Sequence, residues 1–265
     1  MLGSHFVYPE QVNLTPNEPW PVRAELARRI EEASINAWPA LQQHVFDGWL
    51  LRFARGFTKR ANCIVPLYKG TLPIADKVAH CEAQYQREAL RTIFRLHTLQ
   101  SPQELDAMLA ERRYERMDET LVLHSALGTT AAAPAIELLT AEAWLEIYGK
   151  LTGIPPDAAR LHALIVQNIS LACAFAVVRE GQRAVACGLG VLDHEYLGVF
   201  DIVTAPQARR RGYARAMLSG LHTWGAAQGA RHAYLQVVAS NLPARRLYDA
   251  EGMAELYRCW YRAST

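Results

Sequence analysis

The segment that most restricts what this chain can fold into runs Asp201-Ile202-Val203-Thr204-Ala205-Pro206-Gln207-Ala208-Arg209-Arg210-Arg211-Gly212-Tyr213-Ala214-Arg215-Ala216-Met217-Leu218. An apolar, β-branched run passes through a proline and a basic stretch and then opens a helix-period pattern at Ala216, Met217, Leu221 and Trp224. A strand feeding a helix through a glycine-ended loop is an α/β unit, and the helix start it creates leaves several backbone N–H groups with no intrahelical acceptor. Those amides and the positive end of the helix dipole bind anions. Gly212 allows close backbone approach, Ala214 adds almost no side chain, and Arg209, Arg210 and Arg211 add positive charge. Pyrophosphate suits that combination.

The elements around this unit follow from periodicity. Downstream of residue 134 the predicted order is a strand at 135–139 with Thr140 as an N-cap, a helix carrying Trp144, Ile147, Tyr148 and Leu151, and a second helix opening after Pro155-Pro156. Three strands follow at 173–178, 184–192 and 197–204, joined by turns short enough to make them antiparallel. Then come a helix at 212–227, a strand at 233–238, a helix at 242–250 and a strand at 254–261. At 265 residues the chain is long for one domain and comfortable for two. The uncharged stretch 126–134 reads as a linker, and the proline series Pro9, Pro16, Pro19, Pro21 reads as an extended tail over 1–21. The front part, 22–125, has helices at 25–38 and 74–90, strands at 49–53 and 60–67 paired around Arg55-Gly56, a strand at 92–96, and a final helix entering a strand. That last piece, 101–117, matches 240–256 as a weak internal repeat. The fold class expected is α/β (α+β), a mixed sheet built from two modules, each a mostly antiparallel twisted sheet flanked by helices.

Two motifs carry a resemblance to a known family. Arg209-Arg210-Arg211-Gly212-Tyr213-Ala214 is similar to the Arg/Gln-x-x-Gly-x-Gly/Ala acetyl-CoA loop of the GNAT superfamily, the Gcn5-related N-acetyltransferases. Asn241-Leu242-Pro243-Ala244-Arg245-Arg246-Leu247-Tyr248-Asp249-Ala250-Glu251-Gly252-Met253 resembles the family's Asn-x-x-Ala-x-x-Leu-Tyr-x-x-x-Gly-Phe at the expected distance downstream. The resemblance covers 135–265 and implies acetyl-CoA as co-substrate, with Arg209, Arg210, Arg211, Gly212, Tyr213, Ala214 and Arg215 around its pyrophosphate. By the same resemblance Ile202, Val203 and Thr204 form the strand edge that bonds acetyl and pantetheine, Asn241 contacts the CoA arm, and Tyr248 protonates the departing thiolate. The sequence departs from the pattern twelve positions before that tyrosine, where N-terminal-amine acetyltransferases often carry Glu and this chain has Gln236, which cannot take a proton. Asp201 is the candidate base; the alternatives are a structural carboxylate paired with an arginine of the loop and a partly neutral substrate amine deprotonated through a water chain. The front part carries neither motif: aligning Arg113 with Gly252 puts Leu109 where Tyr248 sits. It reads as a degenerate module beside the acceptor site, with Trp49, Phe53, Arg60 and Asn62 as candidate substrate residues or, alternatively, as sheet packing.

The formal charge of +2, from Lys+Arg 28 against Asp+Glu 26, lacks the basic footprint of a nucleic-acid or membrane binder. The five cysteines (Cys63, Cys81, Cys173, Cys187, Cys259) are scattered, with no CxxC and no metal-ligand spacing, so a reduced, cytoplasmic setting with no metal is expected. No apolar run reaches the ~18 residues of a membrane span, and no export signal opens the chain. His194 and His232 read as surface or satisfied polar residues. The function expected is acetyl transfer from acetyl-CoA to a primary amine of a small molecule such as an amino acid, amino sugar or amine toxin. The alternatives are acetylation of a protein N-terminus or lysine and, in another class, a non-catalytic CoA-binding regulatory module.

Overall fold

The structure, a computed structural model, describes residues 20–99, 103–128 and 136–265. The front part runs α1 (Trp20–Ala37), β1 (Gln42–Phe46), β2 (Trp49–Phe53), β3 (Ile64–Pro66), α2 (Ile74–Arg87), β4 (Ile93–His97), α3 (Gln103–Glu111) and β5 (Glu115–Ala126). The back part runs β6 (Glu137–Leu139), α4 (Ala141–Thr152), α5 (Pro156–Gln167), β7 (Ala172–Glu180), β8 (Arg183–Asp193), β9 (Tyr196–Thr204), α6 (Tyr213–Ala227), β10 (His232–Val238), α7 (Leu242–Ala250) and β11 (Ala254–Ala263). Local chemistry sets several of these ends. Thr140 caps α4 by accepting from the Ala143 N–H at 3.3 Å, left-handed Gly153 closes it, and Pro156 starts α5 where no intrahelical N–H is required.

Among the described residues one sheet takes all eleven strands in the order β1-β2-β3-β4-β11-β5-β10-β9-β8-β7-β6. It is mostly antiparallel; the parallel neighbours are β3 with β4 and β9 with β10. The last strand of each part lies inside the other: β11 separates β4 from β5, and β5 separates β11 from β10. Of the two segments that match in sequence, 103–117 and 240–256 hold corresponding places, α3 leading to β5 and α7 leading to β11; 101–102 lie outside the described residues. Arg113 (φ 62) and Gly252 (φ 75) both adopt the left-handed conformation just after those helices.

Side chains alternate between the faces, as pleating requires. On β10, Ala233, Leu235 and Val237 pack with Met217, Leu218 and Leu221 of α6, while Tyr234 packs with Phe200, Trp38, Trp144 and Ile165 on the face covered by α1, α4 and α5. Helices α2 and α3 cover the α6 side of the front part, against Trp49, Leu51, Phe94 and Leu96.

Some boundaries differ from expectation. The expected tail lies outside the described residues up to 19, and α1 already begins at Trp20, with Pro21 in its first turn. Strands β2 and β3 pair antiparallel as read, but their connection is a wide loop with a short 3-10 turn at Lys59–Ala61. The tight hairpin is instead β1 with β2, turning at Asp47 (φ 42) and Gly48 (φ 84); β1 is polar and exposed, and escapes a search for apolar alternation. The expected linker overlaps β5 at Ala126, and 129–135 lie outside the described residues.

Candidate active site

Strands β9 and β10 pair in parallel only from Tyr196 with His232 to Val199 with Leu235. Beyond that point β9 stays with β8 and β10 with β5, so a V-shaped gap opens between Phe200–Thr204 on one side and Gln236–Val238 on the other. The divergence coincides with a bulge: Leu189 faces Phe200 and Cys187 faces Val203, so Asp201 and Ile202 share one partner position. Asp201 carries the bulge at φ 50, a left-handed conformation uncommon for a non-glycine residue. This turns Ile202 toward the α6 core and Val203 toward the α1 core.

At the open end of the V, the loop after β9 reaches α6 through Gly212, which sits at φ 83 as the cap residue. Ala216 donates the first intrahelical bond there, to Gly212 at 2.9 Å, so the preceding amides have no acceptor within the helix. A Cβ on Gly212 would meet nothing within 4 Å, leaving open space over those amides. Arg211 pairs with Glu180 and lies 5.3 Å over the Tyr213 ring, while Arg215 pairs with Glu251 at 2.6 Å. Arg209 and Arg210 form no ion pair among the described residues and are exposed. Thr204, at the strand end, keeps a buried hydroxyl without a partner. Open amides, unpaired cations, an unpaired strand edge and that hydroxyl fit a pyrophosphate with an amide-bearing arm.

Helix α7 lies on the same face as α6. Tyr248 and Tyr213 both pack against the Met217, Val237 and Met253 cluster, as does Ile202. Burial raises the Tyr248 hydroxyl above its ordinary pKa, so it holds its proton at neutral pH. Asn241 is the N-cap of α7, its side-chain oxygen accepting from the Ala244 N–H at 3.3 Å.

The opposite face of the gap holds a cleft of about 250 Å³. Asp201 reaches it from β9, and Gln236 and Val238 from β10; Asp118 and Thr120 of β5, Trp38, Arg60 and Tyr261 complete the walls with Thr58 and Lys59. Asp201 does not pair with the loop arginines. Its Oδ2 lies 2.8 Å from Nε2 of His162 on α5, the carboxylate 20% exposed and the imidazole 3%. His162 is enclosed by aromatic rings: Tyr148 at 4.4 Å between centroids, Trp38 at 5.8 Å, Phe57 at 6.0 Å and Trp144 at 6.1 Å. Gln236 thus faces the cleft from β10, and a carboxylate, Asp201, stands across the gap on β9. Three residues with unusual positive φ line this one cleft: Thr58 (56), Asp118 (49) and Asp201 (50). For a β-branched threonine that conformation is strained, and such strain concentrates at functional sites.

Of the four front-part candidates, Arg60 lines the cleft and the others do not. Trp49 is 2% exposed in the front core, under the Lys77 ammonium at 4.4 Å. Phe53 packs on Tyr85 at 4.7 Å. Asn62 is buried and organises its loop, accepting from the Ala54 and Gly56 amides (2.7 and 2.9 Å) and donating to Phe57 and Thr58 carbonyls (2.6 and 2.9 Å). The front part's own strand-to-helix loop, after β3, is filled from within. Asp47 accepts from the backbone N–H of Thr71 and Leu72 at 2.9 and 3.0 Å and pairs with buried Lys77 at 3.1 Å; the two amides hold its carboxyl well below the ordinary range. Leu109, aligned with Tyr248, is fully buried.

Residues missed from sequence are Trp38, Thr58, Asp118 and His162. Only His162 left a trace, as a polar residue on the buried stripe His162, Ile165, Val166 of α5. Burial pushes the thiols of Cys63, Cys81 and Cys187 up to about 12 and that of Cys173 to about 11, so none of these is a thiolate at neutral pH. Among the described residues no helix is long and apolar enough to cross a membrane.

Comparison with known proteins finds likeness along nearly the whole chain. Residues 24–262 match the family described as probable histone acetyltransferase Rv0428c C-terminal. The uncharacterized N-acetyltransferase YobR of Bacillus subtilis is 28% identical over 243 residues, covering 89% of this chain and 97% of the relative. The probable histone acetyltransferase Rv0428c of Mycobacterium tuberculosis is 25% identical over 229 residues, 82% of this chain and 68% of that protein. In fold, a GCN5-related N-acetyltransferase from Kribbella flavida superposes with a TM-score of 0.67 at 16% identity, covering 90% of this chain and 95% of the other. Another from Sphaerobacter thermophilus superposes at 0.59 with 16% identity and 93% coverage of both chains.

Proposed function

The chain belongs to the Rv0428c C-terminal acetyltransferase family, within the GNAT superfamily, and on that premise we propose that it transfers the acetyl group of acetyl-CoA directly to a primary amine of a small molecule. The observation that carries this reading is the gap between β9 and β10, with the anion-binding helix start on one face of the sheet and the carboxylate-bearing cleft on the other. A thioester bound from the α6 side would present its carbonyl in the V, where an amine in the cleft reaches it without an acyl-enzyme.

In this reading the amides ahead of Ala216 and Arg209 hold the pyrophosphate, and the free edge of Ile202, Val203 and Thr204 orients the pantetheine arm and polarises the carbonyl. Asp201, positioned by His162, accepts a proton from the attacking amine as the new C–N bond forms. Tyr248 gives its proton to the sulfur as the C–S bond breaks. The front part is a degenerate GNAT-like module whose nucleotide loop is closed by Asp47, and it contributes the cleft walls Trp38, Arg60 and Asp118.

A second acceptor class, a protein lysine, is favoured by the family's description alone. The small size of the cleft, about 250 Å³, favours the small molecule. The deciding experiment is release of free CoA from acetyl-CoA against amino acids, polyamines, aminoglycosides and lysine peptides, with calorimetry of acetyl-CoA binding. Turnover confined to small amines is expected. Turnover of lysine peptides alone would reverse the acceptor, and tight binding without any release would make the protein a CoA-binding module.

A further inference from the structure

We propose that the acceptor carries a carboxylate as well as its amine, Arg60 holding the anionic end and Asp201 the amino end, whose ammonium form loses one proton to solvent before the neutral amine attacks; this rests on the reading of the cleft as the acceptor site. The Arg60 guanidinium lies 5.7 Å from the Trp38 ring centre and 5.4 Å from that of Phe200, and the two rings stack on each other at 5.7 Å. Its position is therefore set by aromatic surfaces rather than by a counter-ion. Among the described residues that guanidinium makes no hydrogen bond or ion pair, whereas its neighbour Lys59 is neutralised by Asp118 at 2.6 Å. Nε is sealed from solvent without a partner. The terminal nitrogens keep the paired N–H groups that match a carboxylate bidentately.

A half-buried cation without an acceptor is a costly arrangement, relieved when an anion arrives. On the other side, His162 engages Oδ2 of Asp201 and leaves the second oxygen for the cleft. Opposite charges that line one small cleft and do not pair with each other are complementary to a zwitterion. A simple amine would leave Arg60 unmatched, and a polyamine would bring a second cation against it. A cleft of about 250 Å³ suits a molecule of amino-acid size.

The test is thiol release by the full chain with L-leucine, L-phenylalanine, L-lysine, β-alanine and 4-aminobutyrate, each beside its carboxamide, and with putrescine as an amine without a carboxylate. At least one acid is expected to exceed its carboxamide in kcat/KM by roughly tenfold to a hundredfold. Arg60→Met should cut that preference to within about threefold while acetyl-CoA affinity stays unchanged, and Arg60→Lys should restore part of it. Carboxamides or putrescine turned over as well as the acids would overturn this inference and leave the acetyltransferase reading standing. No release with any of these amines, nor with the aminoglycosides and lysine peptides above, would overturn both. Because the acid-to-amide ratio is read on the unaltered protein, a poorly folded Arg60 variant does not remove the test.

Discussion

Asp201 and His162 illustrate how single side chains acquire chemistry from their surroundings. A carboxylate on a strand bulge, 20% exposed and 2.8 Å from an imidazole locked among four aromatic rings, has one oxygen fixed and one available. Asp201→Asn should lower kcat by about a hundredfold with little change in acetyl-CoA affinity, measured by thiol release and calorimetry. Retention of activity within threefold would remove Asp201 from the mechanism. His162 acts through Asp201, so His162→Gln should cost activity in the wild-type background and little more in Asp201→Asn; additive losses would make His162 merely structural. Tyr248 keeps its proton because burial raises its pKa. Tyr248→Phe should reduce turnover more than roughly tenfold at unchanged acetyl-CoA affinity, and equal loss of both would show a packing role.

At the scale of elements, the decisive features are where β9 leaves β10 and how α6 begins. Gly212 at φ 83 faces open space, so a side chain there meets backbone strain and also enters the volume assigned to the phosphates. Gly212→Val should weaken acetyl-CoA binding by more than tenfold while the protein stays folded, checked by calorimetry beside a melting curve; a normal dissociation constant would refute the loop's role. Much of this element was legible in the sequence, because a β-branched run, a glycine and a helix-period stripe are local signals. The hairpin at Asp47-Gly48 was legible in principle too, since Asp-Gly is a strong turn signal, but the polar strand β1 concealed it. The cleft was not legible. Trp38, Asp118 and His162 come from three segments separated by tens of residues, and of the residues that line it only Asp201, Gln236 and Arg60 stand out in the sequence.

Over the whole molecule, the exchange of β5 and β11 ties the two parts into one sheet. A chain cut to residues 136–265 would leave β10 and β11 with unpaired edges, exposing ladders that invite association. Such a fragment should aggregate or melt without a cooperative transition in circular dichroism. A monomeric fragment with a sharp transition would show that the exchange is dispensable. The seam between β5 and β10 also carries a pH dependence. His124 and His232 are buried 3.0 Å apart, and burial lowers the first to about 4 and the second below its ordinary value, as it lowers His222 to about 4. Unfolded histidine titrates near 6.5, so the unfolded chain binds more protons below that pH. Stability is therefore complete above about 6.5 and falls as pH drops toward 4. His124→Asn should flatten the decline of melting temperature over that range, and an unchanged slope would assign it elsewhere.

Sequence alone determined the back part's element order, the glycine turn that opens α6 and the family, because each is carried by short motifs and periodicities along the chain. It also located Tyr248 and Gln236, whose spacing is fixed along the chain. Tertiary structure decided what surrounds them: which strands neighbour one another across the two parts, that Asp201 pairs with His162 rather than with an arginine of the loop, and that Arg60 enters the cleft while Trp49, Phe53 and Asn62 serve the front core and its loop. Those outcomes depend on burial and charge balance between segments distant in sequence, and no local pattern encodes them.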